Sequence, residues 1–160
     1  MPCFKWEALL PKPPPPKGGF FGASSTTTPK QDAYVGSSSV FALDDQNFKP
    51  FLRTKDMALV MFYQTNCKNC DFSKKHFKKA SETTKRDNHA YAAVDCKKTP
   101  ELCCAEDIPF IPYFKLYCRG RFVGFNGDYK LFVHKNMKRW VESMTAFTQM
   151  GHKIEPCRTK

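Results

Sequence analysis

The sequence predicts an α/β domain whose central mixed sheet carries helices on both faces, and three observations lead there. Apolar runs of strand length alternate with helix-period segments from residue 39 onward. One run, "ALVMFY" at residues 58–63, is continuously apolar, as expected of a central strand covered on both sides. The series closes on two consecutive strands joined at Arg119-Gly120, a hairpin signal, so the sheet is mixed rather than all parallel.

Element by element, "SVFAL" (39–43) reads as a short strand. Asp44 or Asp45 is placed to cap a following helix that buries Phe48, Phe51 and Leu52, with Pro50 tolerated only in its first turn. After the 58–63 strand come Cys67 and Cys70, then a helix expected to turn Phe72, Phe77 and Ala80 inward and its lysines outward. "HAYAAVDC" (89–96) is a second buried strand, and "TPELCCAED" a short helix with Thr99 as cap and Pro100 at its first position. "IPFIPYFKLYC" and "RGRFVGFNGDY" supply the hairpin strands. The final segment spaces Met137, Trp140, Val141, Met144 and Phe147 as one apolar helix face. The resulting order is β-α-β-α-β-α-β-β-α.

At 160 residues with 41% hydrophobic and 14% aromatic content, the chain can fill one ordinary core. Residues 11–39 are rich in Pro, Gly, Ser and Thr and include four consecutive prolines, a composition that favours polyproline II and flexible chain. Residues 1–38 are therefore expected to be a disordered tail or interdomain linker, 39–149 the folded domain and 150–160 a C-terminal tail. The net charge of +11 calls nucleic acid to mind. Its densest part, Lys68, Lys74, Lys75, Lys78, Lys79, Lys85 and Arg86, lies where a helix would carry it into solvent, and no groove-reading or base-stacking motif accompanies it. No nucleic-acid partner is expected. No apolar run reaches the ~20 residues of a membrane span. Prolines interrupt the start before a secretory core can form, and "CRTK" at the end is not a retention tail.

The chemistry resides in C-x-x-C. A cysteine at a helix start meets unpaired N–H groups and the positive end of the helix dipole, so its thiol pKa falls from ~8.5 toward ~7 or lower. The thiolate is the nucleophile, and a second cysteine one turn on can resolve the mixed disulfide it forms. Cys67 would attack and Cys70 resolve, with Lys68 adding positive charge beside the thiolate. Two other readings exist. An inert structural bridge is one. A zinc site is the other, drafting Cys103-Cys104 or His76, although an adjacent cysteine pair suits tetrahedral coordination poorly.

Residues 39–149 resemble the thioredoxin-fold domains of the protein disulfide isomerase family. The likeness rests on "VFALDDQNF", on "LVMFYQTNCKNC" where the family has FYAPWCxxC, on "AAVDC" in the next strand, and on "IPYFKLYCRGRF" at the family's G-[YF]-P-T strand. It implies a thioredoxin fold and a thiol–disulfide oxidoreductase or isomerase acting on protein disulfides. It makes Pro112, rather than Pro109, the cis-proline that holds an extended substrate beside the cysteines, with Ile111, Tyr113 and Asn66 in substrate contact. Cys96 and Cys103, seven apart, resemble a structural pair of some members, with Cys104 as the alternative partner. Cys118 reads as a core thiol, and Cys3 and Cys157 are assigned no role. The implied partners are unfolded or disulfide-containing proteins and a thiol such as glutathione. No cofactor or metal is needed, since the disulfide carries the electrons. The implied compartment is the endoplasmic reticulum lumen.

The departures cluster at the site. Asn66 replaces the family's Trp, Gln64-Thr65 its Ala-Pro, and Lys68-Asn69 the Gly-His between the cysteines. Met61 and Ala93 stand where many members bury an acid and its paired Lys. The expected centre is slower and more reducing than CGHC. Two further classes stay open: a binding module using the aromatic surface around Phe110, Pro112 and Tyr113, and a cytosolic reductant.

Overall fold

The computed structural model describes residues 29–149, with side chains described through residue 143. Five strands and four helices follow in the order β1 (Val40–Leu43), α1 (Phe48–Arg53), β2 (Met57–Tyr63), α2 (Lys68–Thr83), β3 (His89–Asp95), α3 (Pro100–Ala105), β4 (Tyr113–Cys118), β5 (Arg121–Asn126) and α4 (His134–Gln149). The sheet order is β1-β3-β2-β4-β5. β1 and β2 run parallel to β3, whereas β4 pairs antiparallel with β2 and β5 antiparallel with β4. This is the thioredoxin fold that the sequence predicts.

All seven residues of β2 are buried, because the strand is central and covered on both sides. Its alternation sorts them. Met57, Leu59, Met61 and Tyr63 face a core shared with Phe77 and Ala80 of α2 and Met137 and Val141 of α4. Ala58, Val60 and Phe62 face a second core with Phe48, Phe51 and Leu52 of α1 and Leu102 and Cys103 of α3. Arg119 and Gly120 have φ of 50° and 85°, so the β4–β5 hairpin closes with positive φ at both turn positions, as the twist of paired strands favours.

Several expectations need correction. Asp44 does not cap α1 directly. Its carboxylate accepts the N–H groups of Gln46 and Asn47, forming a turn ahead of the helix, and α1 starts at Phe48. Thr99 makes no side-chain cap either, because its hydroxyl turns back to the Asp95 carbonyl at 2.9 Å. Phe72 points outward at 44% exposure. Phe77 and Ala80 do face inward, joined by Cys70, Ser73 and Ser81, and the Ser73 hydroxyl is buried with no hydrogen-bond partner. Arg86 is not wholly solvated, since it donates to the Val141 carbonyl at 2.8 Å. Met144 and Phe147 fall outside the described side chains.

The folded unit also starts before residue 39. Gln31 bridges to Phe41, Asp32 and Ala42 donate across the same junction to Val40 and Lys30 carbonyls, and Val35 is buried at 5% exposure in the α2–α4 core. Residues 29–38 thus form an arm packed on the domain, while the remainder of the expected tail lies outside the described residues.

Candidate functional site: a disulfide at the start of α2

β2 ends at Tyr63, and Gln64, Thr65 and Asn66 cross the C-terminal end of the sheet into α2. Asn66 has φ of 63°, a left-handed conformation that Asn tolerates better than most residues. That turn delivers Cys67 to the N-cap of α2 in extended geometry, where its Sγ accepts the Cys70 N–H at 3.1 Å. Cys67 and Cys70 form a disulfide with Cα atoms 5.1 Å apart. The two sulfurs differ in access: Cys67 is half-buried, whereas Cys70 is fully buried. Lys68 and Asn69 between them are exposed, and so is Asn66.

Ile111–Pro112 is the cis peptide bond among the described residues. Pro112 is buried and leads directly into β4, the neighbour of β2. Ile111 lies partly buried at the margin of both cores, and Cys67 packs against one of them. Tyr113 departs from the expected surface role. Its side chain is buried, edge-on to Phe110 and stacked on Phe125 at centroid distances of 5.4 and 5.6 Å. Phe110 is exposed as expected, at 54%, and Phe125 rather than Tyr113 accompanies it, at 61%. Gly127 makes room for it, since a Cβ there would lie 2.6 Å from Phe110 Cζ.

Met61 and Ala93 are opposite one another in the β2–β3 register and buried in the same hydrophobic core. The second bridge, Cys96–Cys103, joins the end of β3 to α3, both cysteines being 7% exposed. Cys118 is buried as a core residue is, but it is not a free thiol, and neither is any other described cysteine. Among the described residues, no three His, Cys, Asp or Glu side chains gather as a metal-binding group, and no helix is long and apolar enough to cross a membrane.

One set of side chains at the site carries no sequence signal. Tyr63 donates to Asp32 of the arm at 2.9 Å, and Tyr34 of the arm donates to Asp71 of α2 at 2.5 Å. The two rings stack at 4.3 Å. Burial, with help from the neighbouring carboxylates, holds both phenols above their usual pKa, so they remain donors throughout the range in which thiols titrate.

The profile of the family described as Thioredoxin matches residues 39–139. The chain belongs to the thioredoxin family. Within it, this thioredoxin domain is similar to protein disulfide-isomerase A5 of Bos taurus, at 39% identity over 54% of the chain and 17% of the relative. It is similar also to a protein disulfide-isomerase of Arthroderma benhamiae, at 33% identity over 54% of the chain and 16% of the relative. The chain thus spans about a sixth of these curated relatives. Among solved structures, the first thioredoxin domain of mouse protein disulfide-isomerase A4 superposes with a TM-score of 0.61 at 23% identity, covering 72% of this chain and 79% of that one. At that identity the likeness is one of fold.

Proposed function

We propose that this thioredoxin domain is a thiol–disulfide oxidoreductase or isomerase for protein disulfides, with Cys67 as nucleophile and Cys70 as resolving cysteine. The observation that carries the reading is the asymmetry of the pair. The half-buried sulfur sits at the helix N-cap, where the thiolate is stabilised, and its partner is sealed in the core.

In the oxidising direction a substrate thiolate attacks Cys67 Sγ, the Cys67–Cys70 bond breaks, and Cys70 leaves as thiolate. A second substrate thiolate then attacks the substrate sulfur of the mixed disulfide and releases Cys67. Two electrons pass from two substrate thiols to the pair, and two protons go to solvent or to the released thiolates. The reverse sequence reduces a substrate disulfide, and attack by Cys67 followed by release without net transfer isomerises one. Lys68 adds a cation beside the thiolate. Ile111, at the cis bond with Pro112, offers backbone to an extended substrate, and Asn66 forms the opposite lip. Cys96–Cys103 is a structural bridge that stands outside the exchange. Oxidised or reduced glutathione is a suitable recycling thiol, and the endoplasmic reticulum lumen is the compartment that such chemistry suits.

The test is the reduction potential of the pair in a glutathione buffer, with Cys67→Ser and Cys70→Ser as controls and zinc assayed on the same sample. A reversible two-electron couple near about −180 to −210 mV, lost in either variant, supports oxidase or isomerase work. A value near about −270 mV assigns a reductant instead. Absence of exchange leaves the second reading, a binding module, which the exposed Phe110 and Phe125 favour. In that case Phe110→Ala with Phe125→Ala weakens binding of an unfolded chain while the cysteine variants do not.

A further inference from the structure

The arm contacts both ends of the exchange loop, and the contacts are reciprocal. Asp32, 4% exposed, accepts the Val35 N–H at 2.9 Å and the hydroxyl of Tyr63, the last residue before the loop. Tyr34 donates to Asp71, the first residue after Cys70. Lys74 completes the group, with Nζ 4.4 Å from the Tyr34 ring centroid and 3.8 Å from the Asp71 carboxylate. One acid and one tyrosine of the arm therefore engage one tyrosine and one acid that bracket residues 64–70.

Asp71 lies in the first turn of α2, and its backbone N–H donates to the Cys67 carbonyl at 3.0 Å. An anion in that turn draws on the same positive helix end that stabilises the Cys67 thiolate, and it repels the thiolate as well. Whatever binds the carboxylate and offsets its charge therefore favours the thiolate. Stabilising the thiolate stabilises the reduced pair and makes the disulfide a stronger oxidant.

We propose that Tyr34 is a positioning residue for the Cys67–Cys70 pair: by holding the Asp71 carboxylate, with Lys74, it makes the arm at residues 29–38 part of what sets the redox poise. The inference rests on the exchange role proposed above. Asp71 is 53% exposed, so solvent screens its charge and the effect is moderate.

The experiment measures two quantities in the full chain: the glutathione equilibrium of the pair, and the Cys67 thiolate pKa from alkylation rate against pH. Both are taken for the unmodified protein, Tyr34→Phe, Asp71→Asn and the double variant. Tyr34→Phe raises the thiolate pKa and shifts the equilibrium toward the disulfide about threefold, about 14 mV more negative. Asp71→Asn shifts both the other way. With Asp71 already replaced, Tyr34→Phe has no further effect on either, a coupling that loss of packing alone does not produce. If circular dichroism finds Tyr34→Phe unfolded, Lys74→Gln carries the same test with the same sign. No shift in Tyr34→Phe, or an equal shift with and without Asp71, overturns the inference while leaving the exchange reading intact. Absence of a reversible couple in the unmodified protein overturns both.

Discussion

Two disulfides lie at the same end of the sheet, one after β2 and one after β3, and their surroundings give them different chemistry. Cys67–Cys70 closes a single helical turn whose first residue is the N-cap, and one sulfur is accessible. Cys96–Cys103 is buried at both ends and ties a strand end to a short helix. On the proposed reading the first has a stabilised thiolate on reduction and a route for an incoming thiol. The second has neither, and it restrains a loop. A C-x-x-C spacing alone does not make that distinction; the helix start and the unequal burial do.

The largest effect expected from breaking this contrast is in Cys67→Ser, which removes the attacked sulfur. Exchange with an insulin-like disulfide substrate falls to the uncatalysed background, while the thermal midpoint falls by less than it does on removal of Cys96–Cys103, because the bridge closes the shorter loop, of sequence separation 3 against 7. Replacing Cys96 and Cys103 together by Ala gives the opposite pattern. The bridge closes a loop of sequence separation 7, for which chain entropy assigns about 2–3 kcal/mol. Urea unfolding should register that loss while the exchange rate of Cys67–Cys70 stays within about twofold of the unmodified protein, far below the tenfold that ~1.4 kcal/mol at the barrier would cause.

A smaller effect sharpens the role of α2. Ser73 lies one turn below Cys70 with its hydroxyl buried and unpartnered. Ser73→Ala removes an unsatisfied polar group and should raise stability by up to about 1 kcal/mol in denaturant titration, without changing the potential.

Acid probes the far contact of the same helix. His134 at the start of α4 faces His76 of α2, Nδ1 to Nδ1 at 3.3 Å. Desolvation first, then Lys79, His76 and Lys135, hold its pKa below 6.5. The folded state therefore binds its proton less readily than the unfolded chain. The associated stability is present above pH 6.5 and is lost as pH falls below it. Between pH 7 and 5 the thermal midpoint should fall modestly, and less so in His134→Gln.

Legibility in the sequence followed the range of the interactions. The β2 run, the cysteines at a strand-to-helix junction and the strand–helix alternation are local patterns, and they give the fold and the position of the pair. The arm escaped because Asp32 and Tyr34 sit in a Ser- and Gly-rich stretch, and their partners lie 31 and 37 residues away. Nothing in residues 31–37 taken alone marks Val35 as a core residue. Tyr113 was misplaced for a related reason. Strand alternation puts it on a buried face, and Phe125 from the next strand covers it, leaving Phe110 to take the surface. Phe72 is apolar but stands one position, about 100°, before Ser73 on the face that Phe77 and Ala80 bury, so helical spacing rather than residue type sends its ring outward.

The central claim is that the two bridges differ in kind, and stepwise reduction tests it most directly. The protein is equilibrated across a series of glutathione or dithiol redox buffers, quenched by alkylation, and each cysteine's labelling is read by peptide mass spectrometry. The account predicts that, as the buffers become more reducing, Cys67 and Cys70 become labelled together with a midpoint above about −270 mV, while Cys96 and Cys103 stay unlabelled until about −300 mV or below, the range of structural bridges. Labelling of Cys96 and Cys103 first, or of all four in a single transition, would contradict it.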